Sequence, residues 1–199
     1  TPIVSVSESL ASHIERAQLP GSDIPDAIEA IRRRSVGLLD FVQRYRQASD
    51  LPKPELKAVR LGEFVAGLDA LMFSRFREKG VEYRSTVSDP DREIIADSEL
   101  LTHALINLLT NAIEAVSSVA QPAVELRIEA TDESVVIAVR DNGPGIRDDE
   151  REQIFVPFHT SKPGGSGIGL SVARQIAIAH GGKLEVQPGN PGCAFLLTV

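Results

Sequence analysis

The chain has 199 residues, of which 42% are hydrophobic and 25% charged, ordinary proportions for one substantial domain or one domain with a small appendage. A net charge of -7 argues against bulk electrostatic attraction to nucleic acid or anionic lipid, and no apolar run reaches the ~20 residues that span a bilayer. A single cysteine, Cys193, excludes internal disulfides and thiolate metal clusters, fits a reducing cytoplasm, and reads as a small apolar residue of the last strand.

Residues 1–48 predict two helices. In the first, Ile3, Val6, Leu10, Ile14 and Ala17 recur at spacings of three and four and form one apolar stripe. Leu19 to Pro25 breaks the pattern with two prolines and a glycine. The second helix carries Ile24, Ile28, Ile31, Ser35, Leu38, Val42 and Tyr45 in near-heptad alternation. One narrow stripe per hairpin is too little surface to bury alone, so pairing with a second copy into a bundle is expected. Pro52 and Pro54 cannot continue a helix, and they mark the boundary after residue 54.

Beyond the boundary the pattern mixes helix and strand. Leu61 to Lys79 predicts a helix ended by Gly80. Val81 to Val87 and Arg92 to Ala96 predict short strands around the turn residues Asp89, Pro90 and Asp91. Asp97 or Ser98 can cap a long helix reaching about Val119, with Asp97 well placed as first acceptor. Val124 to Ala130 and Val135 to Arg140 alternate around Thr131 to Ser134, as an antiparallel hairpin does. Gly167 to His180 predicts a helix stopped by Gly181 and Gly182, and Lys183 to Gln187 and Ala194 to Val199 supply the last strands.

Three polar clusters interrupt this apolar pattern. Asn107 and Asn111 are four apart and share one face of a helix otherwise rich in leucine and isoleucine. An amide oxygen there is a hard, neutral ligand suited to Mg²⁺, whereas a lone Asn would more simply tie down a loop. Asp141 ends a strand and is followed by Asn142, Gly143, Pro144 and Gly145. Taken alone, these residues make a tight turn. In context, Asp141 is a carboxylate able to accept from an exocyclic amine such as the adenine 6-amino group, with glycines that let backbone approach a flat base. Gly165, Ser166, Gly167 and Gly169 open a helix whose N-terminal N–H groups suit phosphate, with Lys162 just before them as a candidate phosphate contact or a plain solvated charge. The run is neither a P-loop, since no Gly-Lys-Ser/Thr follows, nor a dinucleotide fingerprint, since no strand precedes it. The loop from Gly145 to Gly165 exceeds the ~12–15 residues usual for an incidental connection and carries Phe155 and Phe158 as apolar anchors, as a lid does.

Together these residues resemble the ATP-binding module of sensor histidine kinases, the Bergerat-type fold. Asn107 and Asn111 are similar to its N box, Asp141, Gly143 and Gly145 to its G1 box, Phe155 to Phe158 to its F box, and Gly165, Gly167 and Gly169 to its G2 box. Phe158 to Lys162, Phe41 to Arg46 and Leu51 to Pro54 resemble the nitrogen-regulation branch. The resemblance implies an α+β fold, a two-layer α/β sandwich over residues 55–199, preceded in 1–54 by a truncated dimerisation hairpin and linker. It further implies that Asn111 holds Mg²⁺, that Asp141 reads adenine, and that Asn107 orients water or metal or polarises the acceptor. Ile146, Lys162, Gly165, Ser166, Gly167, Gly169 and Leu170 complete the implied nucleotide site.

The implied activity is transfer of the ATP γ-phosphoryl group to a histidine and then to a response-regulator aspartate. The implied partners are a second copy through the hairpin and a receiver domain, without nucleic acid or membrane contact. A cytoplasmic location follows, including as the cytoplasmic part of a membrane-bound sensor. Two departures stand out. Glu114 occupies a position where many such kinases carry Lys, which leaves Lys162 to supply the cation. None of His13, His103, His159 and His180 is followed by an acid, as the family's acceptor is. His103 and His180 read as structural, and His159 falls in the lid within reach of phosphate. Thr1-Pro2 matches the end of the family's acceptor phrase, so the acceptor is expected just upstream and the chain is expected not to autophosphorylate by itself. The alternatives are an ATPase switch and a degenerate regulatory module. The switch needs a carboxylate general base where Asn107 stands.

Overall fold

The computed structural model describes residues 52–131, 134–160, 167–189 and 191–199. The two helices expected in residues 1–48 lie outside the described residues. So do Lys162, Gly165 and Ser166.

Among the described residues seven strands and three α-helices follow in order: β1 (Lys57–Arg60), α1 (Leu61–Lys79), β2 (Glu82–Val87), β3 (Glu93–Ala96), α2 (Ser98–Ala115), β4 (Ala123–Ala130), β5 (Val135–Asp141), α3 (Gly169–Ala179), β6 (Lys183–Pro188) and β7 (Cys193–Thr198). The main sheet runs β2-β4-β5-β7-β6, with β2 parallel to β4 and every other pair antiparallel. β1 and β3 form a separate antiparallel ribbon.

The period-2 alternation of the strands sets the core. Val124, Leu126 and Ile128 of β4 are buried, as are Ile137 and Val139 of β5 and Phe195 and Leu197 of β7. The register aligns them in rows, Leu126 opposite Val139 and Val139 opposite Phe195, so that one sheet face is a continuous apolar surface. Helix α2 supplies the complementary stripe with Leu101, Leu105, Leu108 and Leu109, all without exposed surface. Burying each such side chain contributes about 1.5–3 kcal/mol. These elements form one joined core with α1 and α3, the mixed sheet-and-helix architecture expected.

Strand partners and β1 lay outside the sequence expectation, and one boundary differs from it. The strands flanking Asp89 to Asp91 do not pair with each other: β2 joins the main sheet and β3 joins β1. Alternation specifies which face a strand buries, not its neighbour. β1 is too short and too exposed to show any period. Helix α2 stops at Ala115 rather than near Val119; Ser117 N–H bonds the Glu114 carbonyl and Val119 N–H bonds the Val116 carbonyl in tighter turns. Ser117 and Ser118 compete locally for backbone bonds, and Pro122 follows.

The start of α2 is held as expected and by one further group. Asp97 Oδ1 accepts from the backbone N–H of Glu99 and Leu100 at 3.0 Å each, and its Oδ2 accepts from Glu55 N–H at 2.8 Å. The Asp97 N–H in turn donates to His180 Nε2 at 3.0 Å. An accepting Nε2 places the ring proton on Nδ1, which donates to the Ile176 carbonyl at 2.8 Å. His180, expected to be structural, joins the end of α3 to the start of α2.

Candidate functional site

A cavity of about 570 Å³ opens beside α2, between the ends of the core strands and the segment leading to α3. Its position follows from strand phase. Asp141 ends β5 on the same face as Ile137 and Val139, so alternation aims its side chain at the helix layer instead of at solvent. It lies in the cross-strand row Val124, Asp141 and Cys193, at the end of the sheet where the helix cover gives way to the cavity.

Asp141 is 7% exposed, and its carboxylate is oriented from both sides. Gly143 N–H donates to Oδ1 at 2.9 Å and Cys193 Sγ donates to Oδ2 at 3.2 Å. A carboxylate has roughly four acceptor positions, so capacity is left for a donor in the cavity. Glycine at 143 is required by crowding: a Cβ there would lie 2.8 Å from Asp141 Oδ1 and 3.0 Å from the Ala115 carbonyl oxygen. Asn142 faces the other way. Its Oδ1 accepts from Ala123 N–H at 2.9 Å and its Nδ2 donates to the Gln121 carbonyl at 2.7 Å, which locks the turn to the start of β4.

Helix α2 presents a polar stripe to the cavity at spacings of three and four: His103, Asn107, Thr110, Asn111 and Glu114. The opposite stripe of the same helix is the leucine core. His103 is an exposed member of the cavity wall and not the structural residue expected. Asn107 stands against the first turn of α3: a Cβ on Gly169 would lie 3.4 Å from Asn107 Oδ1. The Ile168 side chain makes no capping bond at this end. Ser171 Oγ donates to the Ile168 carbonyl at 2.8 Å, so it too leaves the helix's N–H groups facing outward.

The segment after Gly145 is anchored at its described ends. Phe155 is buried edge-on against Phe195, with ring centres 6.4 Å apart, and the Arg174 guanidinium lies 5.0 Å over its ring. Phe158 N–H donates to the Gly167 carbonyl at 2.8 Å, which joins the two sides of the loop at its base. Gly167 takes φ 64°, and a Cβ there would lie 2.6 Å from the Phe158 carbonyl carbon. Phe158 itself has φ 68°, a conformation unfavourable for an aromatic residue and held here by that bond.

Of the residues singled out from sequence, the cavity brings together Asn107, Asn111, Asp141, Gly145, Ile146, His159, Gly167, Gly169 and Leu170. Gly143 supports Asp141 from just behind. Among the wall residues that carried no sequence signal for this site are Arg75, Thr110 and Cys193. Cys193 was legible only as a small apolar residue. Its register opposite Asp141, two residues before Phe195, was the signal that could have found it. Among the described residues, no three or more of His, Cys, Asp and Glu cluster as a metal site. A cation here would therefore take an amide oxygen and oxygens of its ligand, as Mg²⁺ commonly does. Among the described residues, no helix is long and apolar enough to cross a membrane.

Comparison with known proteins agrees with this geometry. The family model described as histidine kinase-, DNA gyrase B- and HSP90-like ATPase matches residues 96–199. The C4-dicarboxylate transport sensor protein DctB of Rhizobium meliloti is 36% identical over 137 residues, covering 69% of this chain and 22% of DctB. The catalytic domain of histidine kinase ThkA superimposes with a TM-score of 0.68 at 29% identity, over 73% of this chain and 95% of that one. Full-length ShkA, solved in complex with AMPPNP, gives a TM-score of 0.71 at 28% identity, over 93% of this chain and 40% of ShkA. The chain spans between 19% and 39% of the length of these and other similar curated relatives.

Proposed function

The chain belongs to the histidine kinase-, DNA gyrase B- and HSP90-like ATPase family and carries the ATP-binding catalytic domain of the histidine kinase type; from this premise we propose that it donates the ATP γ-phosphoryl group to a histidine for onward transfer to a response-regulator aspartate. Adenine sits at the Asp141 end of the cavity, its 6-amino group donating to the carboxylate that Gly143 and Cys193 orient. Gly145, Ile146 and Leu170 line the base and sugar. The phosphates run along α2 toward the N-terminus of α3, where Gly165, Ser166, Gly167 and Gly169 give backbone donors and Lys162 a charge. Asn111 would hold Mg²⁺ brought with ATP, and the ion would offset the charge of the transferring group. The AMPPNP complex of ShkA supports this reading of the ligand.

The observation that carries transfer over hydrolysis is Asn107. The side chain of α2 that stands against the first turn of α3 is an amide, which can orient a group but cannot take a proton from water. Phosphoryl transfer asks the protein mainly for position and charge neutralisation, and the loop anchored at Phe155 and Phe158 serves to exclude water. The apolar periodicity of the sequence in residues 1–54 supports dimerisation through a hairpin, with residues 55–199 as the catalytic domain. The partners are a second copy and a receiver domain, in the cytoplasm.

The test is the fate of label from γ-labelled ATP. The chain with Mg²⁺ is expected to phosphorylate a histidine kinase hairpin that carries an acceptor histidine, giving acid-labile phosphohistidine that a receiver domain then discharges. Release of labelled inorganic phosphate without phosphohistidine would establish the ATPase switch. ATP binding without turnover would establish a regulatory module.

A further inference from the structure

The cavity is poorly furnished for its proposed ligand in one respect. ATP brings several negative charges, yet Glu114, Asp141 and Glu150 all line the wall. Among the described residues, the sole Arg or Lys lining it is Arg75, which comes from α1, far from any of the sequence clusters.

The geometry of Arg75 is specific. Its Nη1 donates to Thr110 Oγ1 at 3.0 Å. Thr110 is on the cavity stripe of α2, between Asn107 and Asn111. The partner is a neutral hydroxyl, so the tether fixes the guanidinium without cancelling its charge. A guanidinium has five N–H donors in a planar fork that matches phosphate oxygens, and Thr110 takes one of them. Position along the cavity follows from α2. Asp141 and Gly143 lie by Ala115 at one end, and Gly169 lies by Asn107 at the other. Thr110 falls between them, near the Asn107 end and well away from the base.

We propose that Arg75 binds the phosphate tail of the nucleotide from the α1 side of the cavity, opposite the α3 N-terminus, and so supplies a cation that the α2 stripe lacks. This inference rests on the ATP reading above. It assigns to α1, otherwise a core helix with Leu68, Met72 and Phe76 buried, a direct part in ligand binding. It is independent of any contribution from Lys162.

The test is calorimetric titration of the full chain with ATP, ADP and adenosine in the presence of Mg²⁺, for the parent, Arg75→Gln and Arg75→Lys. Arg75 is exposed, so melting temperatures should coincide. Arg75→Gln is expected to weaken ATP about tenfold, the range of one lost charge-assisted bond. ADP should weaken less and adenosine not at all, and Arg75→Lys should restore part of the ATP loss. Parent-like ATP affinity in Arg75→Gln, or an equal loss for adenosine, would overturn the assignment. Failure of the parent itself to bind ATP would instead overturn the nucleotide reading, so the two are separable.

Discussion

Asn in place of Asp141 probes base recognition with almost no change of shape. In the folded chain Asp141 Oδ1 accepts from Gly143 N–H at 2.9 Å and Oδ2 accepts from Cys193 Sγ at 3.2 Å. The Asn side chain keeps its oxygen toward Gly143 and puts an NH₂ where Oδ2 was. The thiol is a weak donor, so the fold should lose little. Toward the ligand the change is large, because the adenine 6-amino group then meets a donor instead of a carboxylate. Loss of a hydrogen bond to a charged group costs about 1.5–3 kcal/mol, which corresponds to roughly 10- to 150-fold in affinity. Inosine triphosphate presents a 6-oxo acceptor in the same place and should gain from the NH₂. Titration of parent and Asp141→Asn with both nucleotides and Mg²⁺ should therefore show ATP weakened and the ATP-over-ITP preference collapsed or inverted. Unchanged ATP binding, or equal loss for both nucleotides, would refute the placement of adenine at Asp141.

Two further outcomes concern stability and its pH dependence. Asp97→Ala should cost about 0.5–2 kcal/mol by urea unfolding near neutral pH, the usual worth of such a cap. The Leu100 N–H, followed by those of Glu55 and Glu99, holds the Asp97 carboxyl below its ordinary 3.8, against the opposing effect of burial. A depressed carboxyl stabilises above its unfolded value, so the difference between parent and variant should shrink as pH falls through the lowered folded value. Tyr83 stacks on Phe76 with centroids 4.1 Å apart and donates to Asp69 Oδ1 at 2.7 Å. Burial first, then that bond and the Asp69 charge, raise its phenol well above the ordinary 10.0. The protonated form is favoured by folding, so this contribution is whole below about pH 10 and is lost as pH rises beyond it. Alkaline denaturation should therefore be shallower in Tyr83→Phe; identical curves would remove Tyr83 from the cause.

The site was legible in the sequence wherever a local period carried the information. Asn107 and Asn111 are one helical turn apart, and Asp141 is in phase with the apolar residues of its strand, so both directions could be read without coordinates. Arg75 could not be read. It belongs to an amphipathic helix whose partner is chosen only by tertiary packing, and nothing in its neighbourhood marks it out from any exposed arginine. The pairing of β2 with β4, and not with β3, was hidden for the same reason: alternation fixes faces, while partners are decided by the whole sheet. Cys193 hid behind its chemistry, since a thiol reads as a small apolar residue until an acceptor stands opposite.

The in-phase placement of Asp141 ties molecular recognition to assembly of the sheet. A one-residue slip of β5 would turn Asp141 outward and bring Arg140 to the cavity in its place, while also expelling Ile137 and Val139 from the core. A chain with that error could neither fold stably nor present the Asp141 carboxylate to the cavity. Nucleotide affinity is thus an internal proofreading signal for strand register: molecules competent to bind are those whose sheet has zipped correctly, and the fraction that binds measures the fidelity of folding.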